Sequence, residues 1–210
     1  MKYLLLVLAL LLPFGCQKPP PTPERTEISQ QTLASLKYSV ATIHISTLGF
    51  SAGTGTAFAI SPTLLVTAQH VCEYPNWETY EVKNKHFTAH LQPVRTSARE
   101  DICVLQGYHG LKPLKVRQAS LKEGEKIWVY GSPYGFPNTI TFGYAGTKEW
   151  LGWHFGTKTR IHAPIAPGNS GGPVVDKNGH VVGIAVVGLN GYSHVNWSVQ
   201  HEALKVLTRP

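Results

Sequence analysis

The sequence predicts an all-β fold, and three features carry that reading. Twenty glycines and fifteen prolines punctuate the chain, and 5 Trp, 9 Tyr and 7 Phe supply side chains that suit a pleated surface; both biases favour short strands and turns over helices. From Tyr38 onward the apolar residues recur at every second position, the period of a strand with one buried face. Turn signals such as D-K-N-G at 176–179 separate the alternating runs. A length of 210 residues, 42% apolar and 15% charged, suits one large β domain or two small subdomains with a real core. The formal charge is +7 and the pI near 9.3, yet no run of Lys and Arg exceeds two. That pattern describes a solvated basic surface, and no nucleic-acid partner is expected.

The first 16 residues read as a signal peptide: Lys2, an apolar run over 3–12, then Pro13, Phe14, Gly15 and Cys16. The run is short of the roughly 20 residues a bilayer span needs, which favours export over a permanent anchor. A small residue followed by cysteine is similar to bacterial lipoprotein signals. That similarity implies a lipidated Cys16, membrane attachment through it, and a periplasmic or cell-surface location. Residues 17–27, Q-K-P-P-P-T-P-E-R-T-E, carry four prolines and no apolar period. They read as an extended spacer of about 3 Å per residue, the start of a Pro-rich linker over 17–36. Within that linker, 28–36 is expected to form a short amphipathic helix with Ile28, Leu33 and Leu36 inward.

The strands follow in order. Val40, Thr42, His44 and Ser46 alternate with Ala41, Ile43 and Ile45, which makes a strand with His44 on its surface. S-A-G-T-G-T-A-F-A-I at 51–60 reads as a Gly-rich turn into a second strand, and T-L-L-V-T-A at 63–68 as a third, running into Gln69, His70, Val71 and Cys72. Short strands are expected over 79–82 and 87–94, and I-C-V-L at 102–105 forms another directly after Asp101. After a connection over 108–124 the alternation resumes at Lys126, then over 139–147 and 160–163. Trp150, Trp153, His154 and Phe155 fall in a Gly-bounded loop, where they either line a substrate cleft or cover the barrel, and covering is the favoured reading. Val174 and Val175 pair with 180–189 across D-K-N-G, 194–199 makes the last strand, and 201–207 a closing helix with Ala203, Leu204 and Leu207 inward.

Chemistry centres on P-G-N-S-G-G-P at 167–173. Alone, such a segment is a Gly-rich turn. A serine hydroxyl becomes a useful nucleophile only beside a general base and with donors for the oxyanion its attack creates. Glycine admits backbone angles that let the N–H groups of Gly168 and Ser170 converge. His70, at the end of an apolar strand, is rigidly held yet accessible. Asp101, at the mouth of another, is half-buried, where a carboxylate is costly without a hydrogen-bond donor such as an imidazole.

T-A-Q-H-V, D-I-C-V-L and G-N-S-G-G-P, in that order, resemble the three catalytic blocks of trypsin-like, chymotrypsin-fold serine peptidases. G-S-P-Y-G-F-P-N-T-I-T-F-G and the uninterrupted P-G-N-S-G-G-P-V-V-D-K-N-G-H-V-V-G-I resemble the bacterial HtrA/Deg branch, and the resemblance spans about 37–207. It implies two six-stranded antiparallel β-barrels, about 37–112 and 120–199, packed together with a short C-terminal helix, and a site in the cleft between them. It further implies His70 as general base, Asp101 as its orienting carboxylate, Ser170 as nucleophile, and Gly168 with Ser170 as oxyanion hole. With the chain ending at Pro210, no PDZ domain is expected, and chaperone and cage functions do not transfer. His162 stands where the branch often has Asp.

In this family the specificity pocket is built just before the serine and 15 to 17 residues beyond it. Here those positions are Pro164 and Ile165, and Ala185, Val186 and Val187, an apolar wall suited to small or medium aliphatic side chains. No cofactor or metal is expected: H-E-x-x-H, C-x-x-C and phosphate-loop motifs are absent, and His86 and His90 are four apart in strand-like sequence. Cys72 and Cys103, each two residues past a catalytic candidate, suit either a disulfide or buried free thiols. Two function classes stand: an exported endopeptidase acting on protein or peptide substrates, and a catalytically idle binding or adhesion protein on the same fold.

Overall fold

A computed structural model describes residues 27–47, 50–73, 80–153, 156–186, 196–200 and 202–203. The signal segment, most of the spacer, Cys16, Val187 and all but two residues of the expected closing helix lie outside these. A short α-helix, α1 (Gln30–Leu36), precedes twelve strands among the described residues. Six close the first barrel: β1 (Val40–Thr47), β2 (Phe50–Ala59), β3 (Leu64–Thr67), β4 (Tyr80–Asn84), β5 (Phe87–Ser97) and β6 (Ile102–Gln106). Six close the second: β7 (Lys126–Gly131), β8 (Thr139–Trp150), β9 (Thr157–His162), β10 (Pro173–Val175), β11 (Val181–Val186) and β12 (Asn196–Gln200). Around the barrels the orders are β1-β2-β3-β6-β5-β4 and β10-β11-β12-β9-β8-β7. Neighbouring strands pair antiparallel throughout, as at Leu65↔Leu105 and Val129↔Thr141.

Alternation decides what each face does. Ala41, Ile43 and Ile45 of β1 point into barrel one with Leu65, Val82, Leu91, Cys103 and Leu105. Ile127, Val129, Ile161, Val174 and Val182 fill barrel two. A third cluster lies in the seam: Val40, Phe58, Val66, Ile102 and Val104 from barrel one meet Trp128, Tyr130, Val175, Ile184 and Val199 from barrel two. β6 is therefore apolar on both faces, which is why I-C-V-L at 102–105 reads as an unbroken apolar run. Helix α1 starts two residues later than the expected 28–36, capped by the Ser29 side chain on the Thr32 N–H at 3.0 Å; it sends Leu33 and Leu36 into the seam cluster, joined by Ile28 from just before the cap.

Four expectations change. S-A-G-T-G-T is not a turn but the body of β2, with a register shift opposite Ile45/Ser46 absorbing its irregularity. β5 runs on to Ser97 past Pro93, which sits at a register shift against β6 where its missing N–H is tolerated; the outer half of β5 is largely exposed, so its apolar period fades. β8 extends to Trp150, so this tryptophan ends a strand and is not in a loop; Trp150 and Trp153 are 56% and 78% exposed and meet edge-to-face. His154 and Phe155 lie outside the described residues. Finally, β9 begins at Thr157, three residues before expected, because T-K-T-R offers no apolar residue to mark it.

Candidate active site

His70 is delivered by β3, whose Leu65 and Val66 are both buried. Past Thr67 the chain stays extended at Ala68, then makes one 3-10 turn at Gln69–Val71, closed by the Cys72 N–H on the Gln69 carbonyl at 2.8 Å. Val71 points into barrel one and His70 points out, its side chain 43% exposed. The turn sits low because Gly55 of β2 has no side chain: a Cβ there would stand 2.6 Å from Val71 Cγ1.

Asp101 ends a tight turn in which its N–H donates to the Ala98 carbonyl at 3.2 Å, and its φ of 54° lies in the left-handed region. One carboxylate oxygen accepts the His70 backbone N–H at 3.0 Å, and both oxygens lie on His70 Nδ1 at 3.0 and 2.9 Å. The side chain is 15% exposed. Burial pushes its carboxyl up, but the His70 ring, the His70 backbone N–H and the Lys158 charge together hold it below the ordinary carboxylate range. With Nδ1–H facing the carboxylate, Nε2 of His70 is the ring's acceptor. Two residues beyond each group, Cys72 and Cys103 are disulfide-bonded, their Cα atoms 6.4 Å apart, which decides between the two thiol readings.

The serine segment belongs to barrel two but is fastened to barrel one. Thr56 of β2 donates its N–H to the Ser170 carbonyl at 2.8 Å and its hydroxyl to the Gly168 carbonyl at 2.6 Å. The Gly171 N–H donates to the Ala185 carbonyl at 2.9 Å. Gly171 has φ +86°, and any Cβ on it would collide with Thr67, Ala68 and Thr56. The serine loop therefore lies directly on the strand end that leads into His70. Gly168 has φ +98°, an angle closed to most other residues. Among the described residues no acceptor engages the N–H of Gly168 or of Ser170. Ser170 itself is 5% exposed.

A family model of the trypsin-like peptidase domain matches residues 55–184. The chain belongs to the trypsin-like peptidase family. HtrA-type proteases are among its relatives: it is 30% identical over 139 residues to human serine protease HTRA4, covering 62% of this chain and 29% of the relative. It is 29% identical over 190 residues to the mitochondrial serine protease HTRA2 of Bos taurus, covering 79% of this chain and 40% of the relative. The chain thus spans less than half the length of these relatives. In fold, the peptidase domain is similar to the active form of the Rv3671c protease of M. tuberculosis, with a TM-score of 0.75 and 22% identity over 95% of this chain and 92% of that one.

In this peptidase domain the structure brings His70 and Asp101 into direct contact and seats the Ser170 loop beside them. Pro164 is exposed and its carbonyl accepts from the Thr141 hydroxyl at 2.8 Å; Ile165 and Ala185 are packed in the barrel-two cluster, and Val186 is half-buried. His162 is exposed at the end of β9. His86 stacks on Tyr38, with ring centroids 5.6 Å apart, and the described residues hold no group of three His, Cys, Asp or Glu arranged for a metal. No helix among them is long and apolar enough to cross a membrane. Two participants were invisible in the sequence. Thr56, in G-T-G-T-A, looks like any strand threonine, and Lys158, in T-K-T-R, like any surface lysine.

Proposed function

We propose that this chain is an exported serine endopeptidase that cleaves protein or peptide substrates through Ser170, His70 and Asp101. His70 Nε2 takes the Ser170 hydroxyl proton as Oγ attacks the scissile carbonyl. The oxyanion settles on the N–H groups of Gly168 and Ser170. His70 then gives its proton to the leaving amine, leaving an acyl-enzyme, and repeats the cycle with water. Asp101 holds the imidazole in the tautomer this needs and balances its charge when protonated.

The observation that carries the reading is the double grip of Asp101 on His70, backbone N–H at 3.0 Å and Nδ1 at 2.9 Å. The apolar character of half-buried Val186 and exposed Pro164, with Ile165 and Ala185 packed behind them in the barrel-two core, supports cleavage after small or medium aliphatic residues. A peptide-library profile dominated by Arg, Lys or Glu before the cut would refute that preference. Lys2 with the apolar run over 3–12 supports export, and Gly15-Cys16 supports lipidation; mass spectrometry finding Cys16 unmodified in the membrane fraction would remove the lipid. The deciding experiment is labelling with a fluorophosphonate. Wild type is expected to label, and Ser170→Ala and His70→Ala to lose labelling while keeping the wild-type circular dichroism. An unlabelled wild type means an idle binding protein on this fold.

A further inference from the structure

Lys158 is 3% exposed, and lysines are almost never so buried without a partner. Alternation along β9 puts Ile161 into barrel two and turns Lys158 to the opposite face, toward barrel one. There Nζ donates to the carbonyl of Arg99 at 3.1 Å, two residues before Asp101. Gly156, at φ +58°, is packed on the same turn: a Cβ on it would meet the Arg99 carbonyl at 3.0 Å and Glu100 Oε1 at 3.5 Å. The turn that presents Asp101 thus rests on barrel two at two points. Among the described residues, Glu100 and Asp101 favour the ammonium and Arg99 opposes it; the attraction to Asp101 acts on both partners. A buried ammonium is costly: burial pulls Lys158 below the ordinary lysine range, and Glu100 and Asp101 act against that pull.

We propose that Lys158 is a positioning residue for the peptidase site: it anchors the 98–101 turn through Arg99 and sets a buried positive charge against the Asp101 carboxylate. The proposal rests on the triad reading above. The charge tempers the pull of Asp101 on protonated His70. Without it, the bare carboxylate holds the imidazolium more strongly, and the neutral ring needed for catalysis forms only at higher pH.

The test is the pH dependence of the fluorophosphonate labelling rate between about pH 5 and 9. Lys158→Met is expected to move the acid limb up by about half to one pH unit, and so to slow labelling about three- to tenfold on the acid side of that limb. Lys158→Arg, which keeps the charge, should leave the limb in place. A Lys158→Met limb at the wild-type pH, whatever its rate, overturns the proposal and leaves Lys158 a structural residue. A second arm needs neither activity nor a Lys158 variant: NMR titration of ¹³Cε-labelled lysine in wild type and Asp101→Asn. Coupling is reciprocal, so Lys158 should lose its proton at lower pH in Asp101→Asn. An unchanged titration refutes the proposal even if the wild type never labels, the result that separately sinks the peptidase reading.

Discussion

The disulfide between Cys72 and Cys103 should stabilise the chain and guard the site at once. The two residues are 31 positions apart, and the loop they close contains β4 and β5. Loop-closure entropy for about 31 residues amounts to about 3.7 kcal/mol of stability at 25 °C. For a domain of this size that is a fall in Tm of about 7–15 °C on reduction. Cys103 is fully buried, so the bond should be opened in denaturant and the protein refolded with a phosphine reductant. Melting followed by circular dichroism, with thiols counted by mass labelling, gives the comparison without the cavity that a Cys→Ala change would add. Because each cysteine lies two residues past a member of the His70–Asp101 pair, labelling by a fluorophosphonate should slow well below the new Tm. Reduced protein with both thiols free that melts within about 2 °C of the oxidised form would refute the reasoning; packing alone would then hold the loop.

Three further outcomes follow from the same geometry. Asp101 sits below its ordinary range in the fold, so its stabilisation is complete above the unfolded value of about 3.9 and is lost as pH falls toward the native one. Asp101→Asn should therefore flatten the loss of urea midpoint between about pH 5 and 2.5, and parallel curves for variant and wild type would contradict this. Gly171→Ala forces a side chain into positive φ against Thr67, Thr56 and Ala68, which should cost at least about 1–3 kcal/mol in urea unfolding and abolish labelling; a stable, labelled variant would mean the loop does not rest on β3. Ser132 and Thr42 share a buried hydroxyl–hydroxyl bond of 2.6 Å across the seam, so Ser132→Ala should lose about 1–3 kcal/mol, read as a lowered urea midpoint.

The sequence was legible where burial and pattern agree. β1 announces itself because Ala41, Ile43 and Ile45 face one interior, and β3 and β6 because both their faces are covered. The fold class followed from such runs and the two-barrel arrangement from the resemblance of the blocks around His70, Asp101 and Ser170. β9 was cut short because its buried opening residues, Lys158 and Thr159, are polar, and periodicity only senses apolar burial. Trp150 was placed in a loop because its strand alternates exposed residues there, and aromatic bulk says nothing about how far a side chain folds back onto the core. The cysteine pair stayed undecided since spacing along the chain does not report a Cα separation. Thr56 had no signal at all: its importance lies in two hydrogen bonds to residues 112 and 114 positions away, which only the closed fold creates.

Thr56 also makes the serine loop depend on a surface it does not belong to. The carbonyls of Gly168 and Ser170 both find their donors in barrel one, so barrel two by itself carries the residues of the loop without the bonds that shape it. Expressed as two polypeptides cut in the 108–124 connection, the halves should be silent apart and regain reactivity only on docking. The hydroxyl of Ser170 would then serve as a reporter of barrel assembly, a built-in fragment-complementation readout that switches on with the last contact made.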